Sequence, residues 1–287
     1  ELTAFTSSGF TLGISANVNS SSVGNYASWT FRKAPGFFDV VTYTGNATSA
    51  SDTQAISHSL GSVPGFIIVK RLNAAEDWTC YHRSLGSSAR IDLNSDGAAA
   101  TNSTLAFAGV DPTSTEFTVG YHNRVNNNGD SYVAYVFAHN DGSFGEDSDE
   151  AVIKCGSYTG DGTDNNFVTL GFEPQFLLIK NATTGSTNWM LFDVMRGMPD
   201  VSGATARAIY GNTSAAEAAN NAVCPSATGF TPKASGSYTN TSGDTFIYMA
   251  IRRPHKPPES ATEVFAMDIN TQGEPEYVSN FVVDWAF

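Results

Sequence analysis

Phe66-Ile67-Ile68-Val69-Lys70 and Phe176-Leu177-Leu178-Ile179-Lys180 decide the fold of this 287-residue chain. Each is a short apolar run closed by a lysine. Each follows a Gly- and Pro-containing turn, Leu60-Gly61-Ser62-Val63-Pro64 in one case and Leu170-Gly171-Phe172-Glu173-Pro174 in the other. Four or five bulky residues without a polar alternate, bounded by turn residues, read as a strand buried on both faces. A tryptophan follows each run, Trp78 after Lys70 and Trp189 after Lys180.

Outward from these runs the same correspondence continues. Tyr43-Thr44-Gly45-Asn46 recurs as Tyr158-Thr159-Gly160-Asp161, and Gly129-Asp130-Ser131-Tyr132-Val133-Ala134-Tyr135 as Gly243-Asp244-Thr245-Phe246-Ile247-Tyr248-Met249. The offset stays at about 110–115 residues, the signature of a duplicated unit. The sequence therefore predicts an all-β protein of tandem, jelly-roll-like β-sandwich modules joined by short Pro/Gly linkers. The matched positions Tyr43, Gly45, Pro64, Lys70 and Trp78, with Tyr158, Gly160, Pro174, Lys180 and Trp189, read as framework.

The predicted boundaries are 35–140 and 151–253 for the two modules. Residues 1–34 read as the closing strands of a partial module, because Phe10-Thr11-Leu12-Gly13 matches Phe117-Thr118-Val119-Gly120 and Tyr26-Ala27-Ser28-Trp29-Thr30-Phe31 matches Tyr132 to Phe137. Residues 259–287, ending in the apolar run Phe281 to Phe287, read as the start of a further β segment. Two explanations stay open: a segment of a longer polypeptide, or ends completed by a neighbouring subunit. Linkers such as Arg32-Lys33-Ala34-Pro35-Gly36 predict an extended string of beads, since proline stiffens a connection. One helical turn or two is expected, at Ser214 to Ala219.

Net charge is −13. Such a surface repels phosphate backbones and anionic lipid, which argues against nucleic-acid and membrane-surface partners. No run of 18 apolar residues offers a membrane-spanning helix. Cys80, Cys155 and Cys224 are too few and too scattered for a disulfide framework or a zinc site, and read as free, largely buried thiols.

Candidate chemistry is sparse. Trp78-Thr79-Cys80-Tyr81-His82-Arg83 brings Cys, His and Arg together, as a nucleophile with its base requires. The second copy replaces Cys80 by Leu191 and His82 by Asp193, so the segment reads as core. His58, His122, His139 and His255 lack metal-ligand spacing and read as loop or surface residues. The clusters Asp147-Ser148-Asp149-Glu150 and Asp161-Gly162-Thr163-Asp164 do not follow a calcium-loop pattern and read as solvated charge. Glu76, Asp77 and Glu263 are the carboxylates open to glycoside hydrolysis, with nothing in sequence to pair them. No catalytic residue, metal or cofactor is assigned. Asn-x-Ser/Thr triplets at Asn46, Asn102, Asn181, Asn212 and Asn240 read as turn chemistry. Aromatic side chains are the most plausible functional surface, because a pyranose has an apolar face; Tyr121 and Tyr238 are the candidates free of a framework role.

Phe37 to Asn46, Ile56 to Lys70, Trp78 to Arg83, Gly129 to Phe137 and the joining Trp29 to Gly36 together resemble a repeated module of tailed-bacteriophage structural proteins, marine and cyanobacterial tail-fibre-like proteins among them. The resemblance runs from the start to about residue 258. It weakens in the second copy, at Cys155-Gly156-Ser157, at Glu173 and at the lost Tyr-His-Arg. It implies an extracellular virion component, a tail fibre or appendage, whose partners are copies of itself or other virion proteins and a host-surface glycan. It brings no catalytic residues. The rival readings are a secreted or cell-surface carbohydrate-binding sandwich and a polysaccharide-degrading enzyme.

Overall fold

The computed structural model describes residues 2–15, 18–20, 26–101, 104–145, 149–198, 207–219, 222–234 and 238–253. The expected segment 259–287, which holds Glu263, lies outside the described residues, as do His255, Asp147 and Ser148.

The protein is all-β. After a hairpin of β1 (Leu2–Phe5) and β2 (Phe10–Leu12), the first half contains β3 (Phe38–Thr44), β4 (Gln54–Ser57), β5 (Pro64–Arg71), β6 (Thr79–His82), β7 (Ile91–Asp92), the one-turn α1 (Thr104–Phe107), β8 (Glu116–Val119) and β9 (Ser131–Ala138). The second contains β10 (Ile153–Thr159), β11 (Val168–Thr169), β12 (Pro174–Asn181), β13 (Met190–Asp193), a 3-10 turn at Val194–Arg196, β14 (Arg207–Tyr210), β15 (Ala218–Ala219), β16 (Val223–Ser226), β17 (Gly229–Pro232) and β18 (Thr245–Arg252). The large sheet of the first half has the order β3-β9-β5-β6-β7, and the small one pairs β4 with β8. In the second half the large sheet runs β10-β18-β12-β13-β14-β15, and the small one β11-β17-β16. Apart from β15 and β16, the second order repeats the first strand for strand.

The same hydrogen bonds fix equivalent corners. Tyr43 donates its hydroxyl to Val125 O (2.6 Å) and Tyr158 to Thr239 O (2.5 Å). The backbone N–H of Asn46 meets Asn126 Oδ1, and that of Asp161 meets Asn240 Oδ1. Trp78 N–H is held by Asn94 Oδ1 and Trp189 N–H by Asn212 Oδ1, both at 2.9 Å. Gly45 and Gly160 are glycine for one reason: a Cβ on either would collide with a backbone carbonyl oxygen, of Asn127 and Thr241 respectively.

The central strands explain the architecture. Successive strand residues point to opposite faces, and β5 is buried from Pro64 through Val69. In β12, Leu177 and Ile179 pack with Met190, Phe192, Phe230, Phe246 and Tyr248 in a core internal to the second half. Their neighbours Phe176 and Leu178 pack instead with residues of the first half, in a cluster that includes Phe66, Ile68, Cys80, Trp189, Ile247 and Met249. The two large sheets thus meet face to face along a seam. Its gap, lined by Phe66, His82, Leu178, Trp189, Ile247, Tyr248 and Met249, leaves no room for a water molecule.

Three expectations change. The halves are not beads on a string: residues 1–252 form one compact unit, because each large sheet has a second apolar face that only the other covers. Ser214 to Ala219 is not helical; Ala218–Ala219 pairs with β14 at the sheet edge, where hydrogen bonding to a neighbour outweighs alanine's helix propensity. Residues 26–31 form no strand, although their counterpart β9 sits between β3 and β5. No described strand within residues 1–34 flanks them in that way.

The close approaches at Gly45 and Gly160 give a direct test. Gly45→Ala and Gly160→Ala are each expected to lose about 1–3 kcal/mol in urea unfolding. Gly185→Ala, whose Cβ would lie 3.6 Å from its nearest neighbour, should change stability by less than about 0.5 kcal/mol.

Candidate interaction surface

The Trp78–Arg83 segment serves the seam. Cys80 is fully buried opposite Ile68, and burial pushes its thiol well above the ordinary range. His82 is 1% exposed. Ser84 N–H donates to its Nδ1 (3.2 Å), so Nε2 carries the proton and donates to Tyr248 O across the seam (3.1 Å). Both ring nitrogens are engaged, leaving none to activate a thiol. Cys155 is likewise buried, its thiol pushed up by desolvation, whereas Cys224 is half-buried. His58, read from sequence as a loop or surface residue, is buried against Phe117.

Among the described residues, the candidate carboxylates Glu76, Asp77, Glu150, Asp161 and Asp164 are occupied. Arg124 reaches Asp77 at 2.6 Å, Asp92 at 2.8 Å and Glu76 at 3.9 Å, while Arg71 holds Asp130 at 2.6 Å. Asp161 accepts from the backbone and hydroxyl of Thr163, and Asp164 from Ala234 N–H, as turn-forming carboxylates do. Glu150 makes a two-bond contact with Arg252 (2.6 and 3.2 Å) that ties the two ends of the second half together. Among the described residues, no group of three His, Cys, Asp or Glu is placed to hold a metal ion. Asn181 and Asn240 are buried, which closes those two triplets to a glycan.

The framework lysines divide. Lys70 donates to Glu76 O (2.8 Å) within the first half. Lys180 is fully buried and donates to Asn181 O, Thr187 Oγ1 and, across the seam, Asp96 O (3.3 Å). Desolvation brings its ammonium down to about 8. The tryptophans divide too. Trp78 stacks on Tyr135 and stays half-buried, whereas Trp189 is buried and donates its indole N–H to Asp92 O in the other half (3.1 Å).

The two tyrosine candidates lie in different halves. Tyr121 is exposed in the loop after β8. Tyr238 is packed edge-on against Tyr210 at the border of the second core, so it is not a free aromatic surface.

Among the described residues, a cluster of exposed apolar side chains lies where composition did not single one out. In the β1–β2 hairpin, Phe5 lies opposite Phe10 and Leu2 opposite Leu12, while Thr3 and Thr11 bond each other. Phe5 is 79% exposed, and Leu2, Leu12 and Ile14 are exposed as well. The signal was in the sequence: Phe117 and Val119, which match Phe10 and Leu12, are fully buried in β8. The segment after the hairpin is anchored. Trp29 donates its indole N–H to Asp193 Oδ2 (3.1 Å) under the guanidinium of Arg196, and Phe31 packs on Phe37, Phe38 and Phe137.

Thiol reactivity separates a framework Cys80 from a catalytic one. In the folded protein Cys224 should react first with a chromogenic disulfide, with Cys80 and Cys155 silent until denaturant unfolds the chain. Rapid labelling of Cys80 in the native state would contradict the burial described above.

No curated protein matches this sequence. Among solved structures, the crystal structure of the STIV MCP is similar at 10% identity with a TM-score of 0.24, covering 74% of this chain and 96% of that one. Across residues 1–254, which take in both halves, the hairpin and the seam, the sequence matches DUF7483, and the chain belongs to this family, described as a domain of unknown function.

Proposed function

We propose that this chain is a non-enzymatic structural protein of a bacteriophage virion, a tail fibre or related appendage that assembles with copies of itself or other virion proteins and contacts the host surface. The observation that carries this reading is the exposed apolar face of the β1–β2 hairpin. A two-stranded hairpin is marginal in water by itself, and covering a large apolar side chain contributes about 1.5–3 kcal/mol. A partner surface therefore stabilises this element in a way that solvent cannot. The phage-module resemblance of the sequence supports the same reading, as does the engagement of Glu76, Asp77, Asp161 and Asp164, among the described residues, in ion pairs and turns.

Assembly is tested by sedimentation velocity. Phe5→Ser combined with Leu12→Ser should weaken self-association at least tenfold while leaving thermal unfolding of the two halves unchanged, since neither side chain contributes to their cores. A wild-type protein that remains monomeric at high concentration would remove the self-assembly part. For the virion assignment, peptides of this chain should be found by mass spectrometry in purified phage particles. Turnover of a capsule or cell-wall glycan by the isolated protein would instead make it an enzyme.

A further inference from the structure

We propose that the seam between the two large sheets is an acid-operated latch, held closed by His82 and His139 as neutral rings and released when they take up protons. The two histidines come from the first half and grip different strands of the second. His82, at the end of β6, donates to Tyr248 O on β18 (3.1 Å). His139, just beyond β9, accepts at Nδ1 from the backbone N–H of Cys155 on β10 (3.2 Å). Contact at the second point is tight, because a Cβ on Gly65 of β5 would sit 2.7 Å from His139 Cβ and 2.8 Å from Cys155 Cβ.

Each ring uses Nδ1 as an acceptor. A proton there turns Ser84 N–H···Nδ1 and Cys155 N–H···Nδ1 from attractions into contacts between two donors. The Tyr248 carbonyl, still accepting from Nε2 of His82, favours the charged ring, but burial and the neighbouring Arg83 outweigh it. The charged and titratable groups acting on His82 and His139 are each other and Arg83 from the first half, and Lys154 from β10 in the second. All four are neutral or positive. The thiol of Cys155 and the phenol of Tyr248, also beside Arg83, are held protonated by burial.

Burial brings both rings down to about 4, against 6.5 for an ordinary histidine. The open seam takes up protons near 6.5 and the closed seam only near 4. Closure is therefore at full strength above about pH 6.5 and is lost as the pH falls to 4. For the fully enclosed His82 this window favours opening by on the order of 100-fold; the partly exposed His139 adds less. Lys180, also on the seam, is charged in both forms throughout this range and does not oppose the change. The ties between Trp189 and Asp92 O and between Ala99 N–H and Ala182 O carry no titrating group, so they set how far the latch must be weakened before it opens.

The reporter is Trp189, which lines the seam. In the full chain with Trp29, Trp78 and Trp285 changed to phenylalanine, its emission should shift to the red between pH 6.5 and 4 while far-ultraviolet circular dichroism still shows intact sheets. With His82→Gln and His139→Gln added, the emission should stay flat over that range. The proposal is overturned by a red shift that coincides with loss of the sheets, by no shift above pH 4, or by an unchanged shift in the glutamine variant. Hydrogen exchange on the wild-type chain, corrected for intrinsic rates, keeps the test open if a variant misfolds. The amides that cross the seam, Cys155 to His139 and Ala99 to Ala182 O, should lose protection at pH 5 ahead of those inside β5 and β12; uniform behaviour of the two sets would sink the idea.

Discussion

The central strands of both large sheets have no solvent face, and the rest of the molecule follows from this. A strand with apolar residues at every position must be covered on both sides. In each half the small sheet and its loops cover one side, which accounts for half of the residues in β5 and β12. The other side can be satisfied only by a second surface of the same kind, and the nearest one available is its own counterpart. The seam is therefore a consequence of what Phe66, Ile68, Phe176 and Leu178 are, and the connection from Ala138 to Ile153 lets it form within the chain.

Equivalence of backbone leaves side chains free to diverge, and at the seam they do. His82 and Asp193 occupy the same register, opposite Phe66 and Phe176 respectively. In one half that position holds a neutral ring that crosses to the facing sheet. In the other it holds a carboxylate that fixes Arg196 at 2.7 Å and receives the indole of Trp29. Trp78 and Trp189 follow the same rule: identical backbone anchoring, but only Trp189 is driven fully inside and bonded to the opposite half. The seam is asymmetric: His82 donates to a backbone carbonyl of the second half, and Trp189 donates to one of the first.

Most of the scaffold was legible in the sequence because strands and turns are local. The apolar runs, the Tyr-Thr-Gly turns and the paired tryptophans were all visible as patterns, and each maps onto a strand or corner. The packing of one half on the other was not legible. The run Phe66 to Val69 announces that both faces are buried without saying what covers the second, and proline-bearing linkers suggested separation. Residues 26–31 failed for a related reason: a strand exists only where neighbours take its hydrogen bonds, and sequence similarity to β9 supplies no neighbours. Glu76 and Asp77 looked like unpaired acids because their partner, Arg124, lies far along the chain. Tyr238 looked free because Tyr210 does too.

The hairpin and the seam are two outcomes of one physical requirement. Phe117 and Val119 are buried in the first core, beside β4; Phe10 and Leu12 carry the same pattern with no such cover among the described residues. A chain of net charge −13 keeps such a patch soluble through repulsion between molecules, so association through it requires a surface that matches in shape as well as in apolarity. For the assembly proposed through this hairpin, ionic strength then becomes a control. Screening the charge shortens the range of repulsion to about 8 Å at 0.15 M salt while leaving the apolar contact intact. Self-association through the hairpin should accordingly strengthen as salt rises, the opposite of what an interface built on ion pairs would do. The seam, dry and internal to one chain, should be indifferent to the same change.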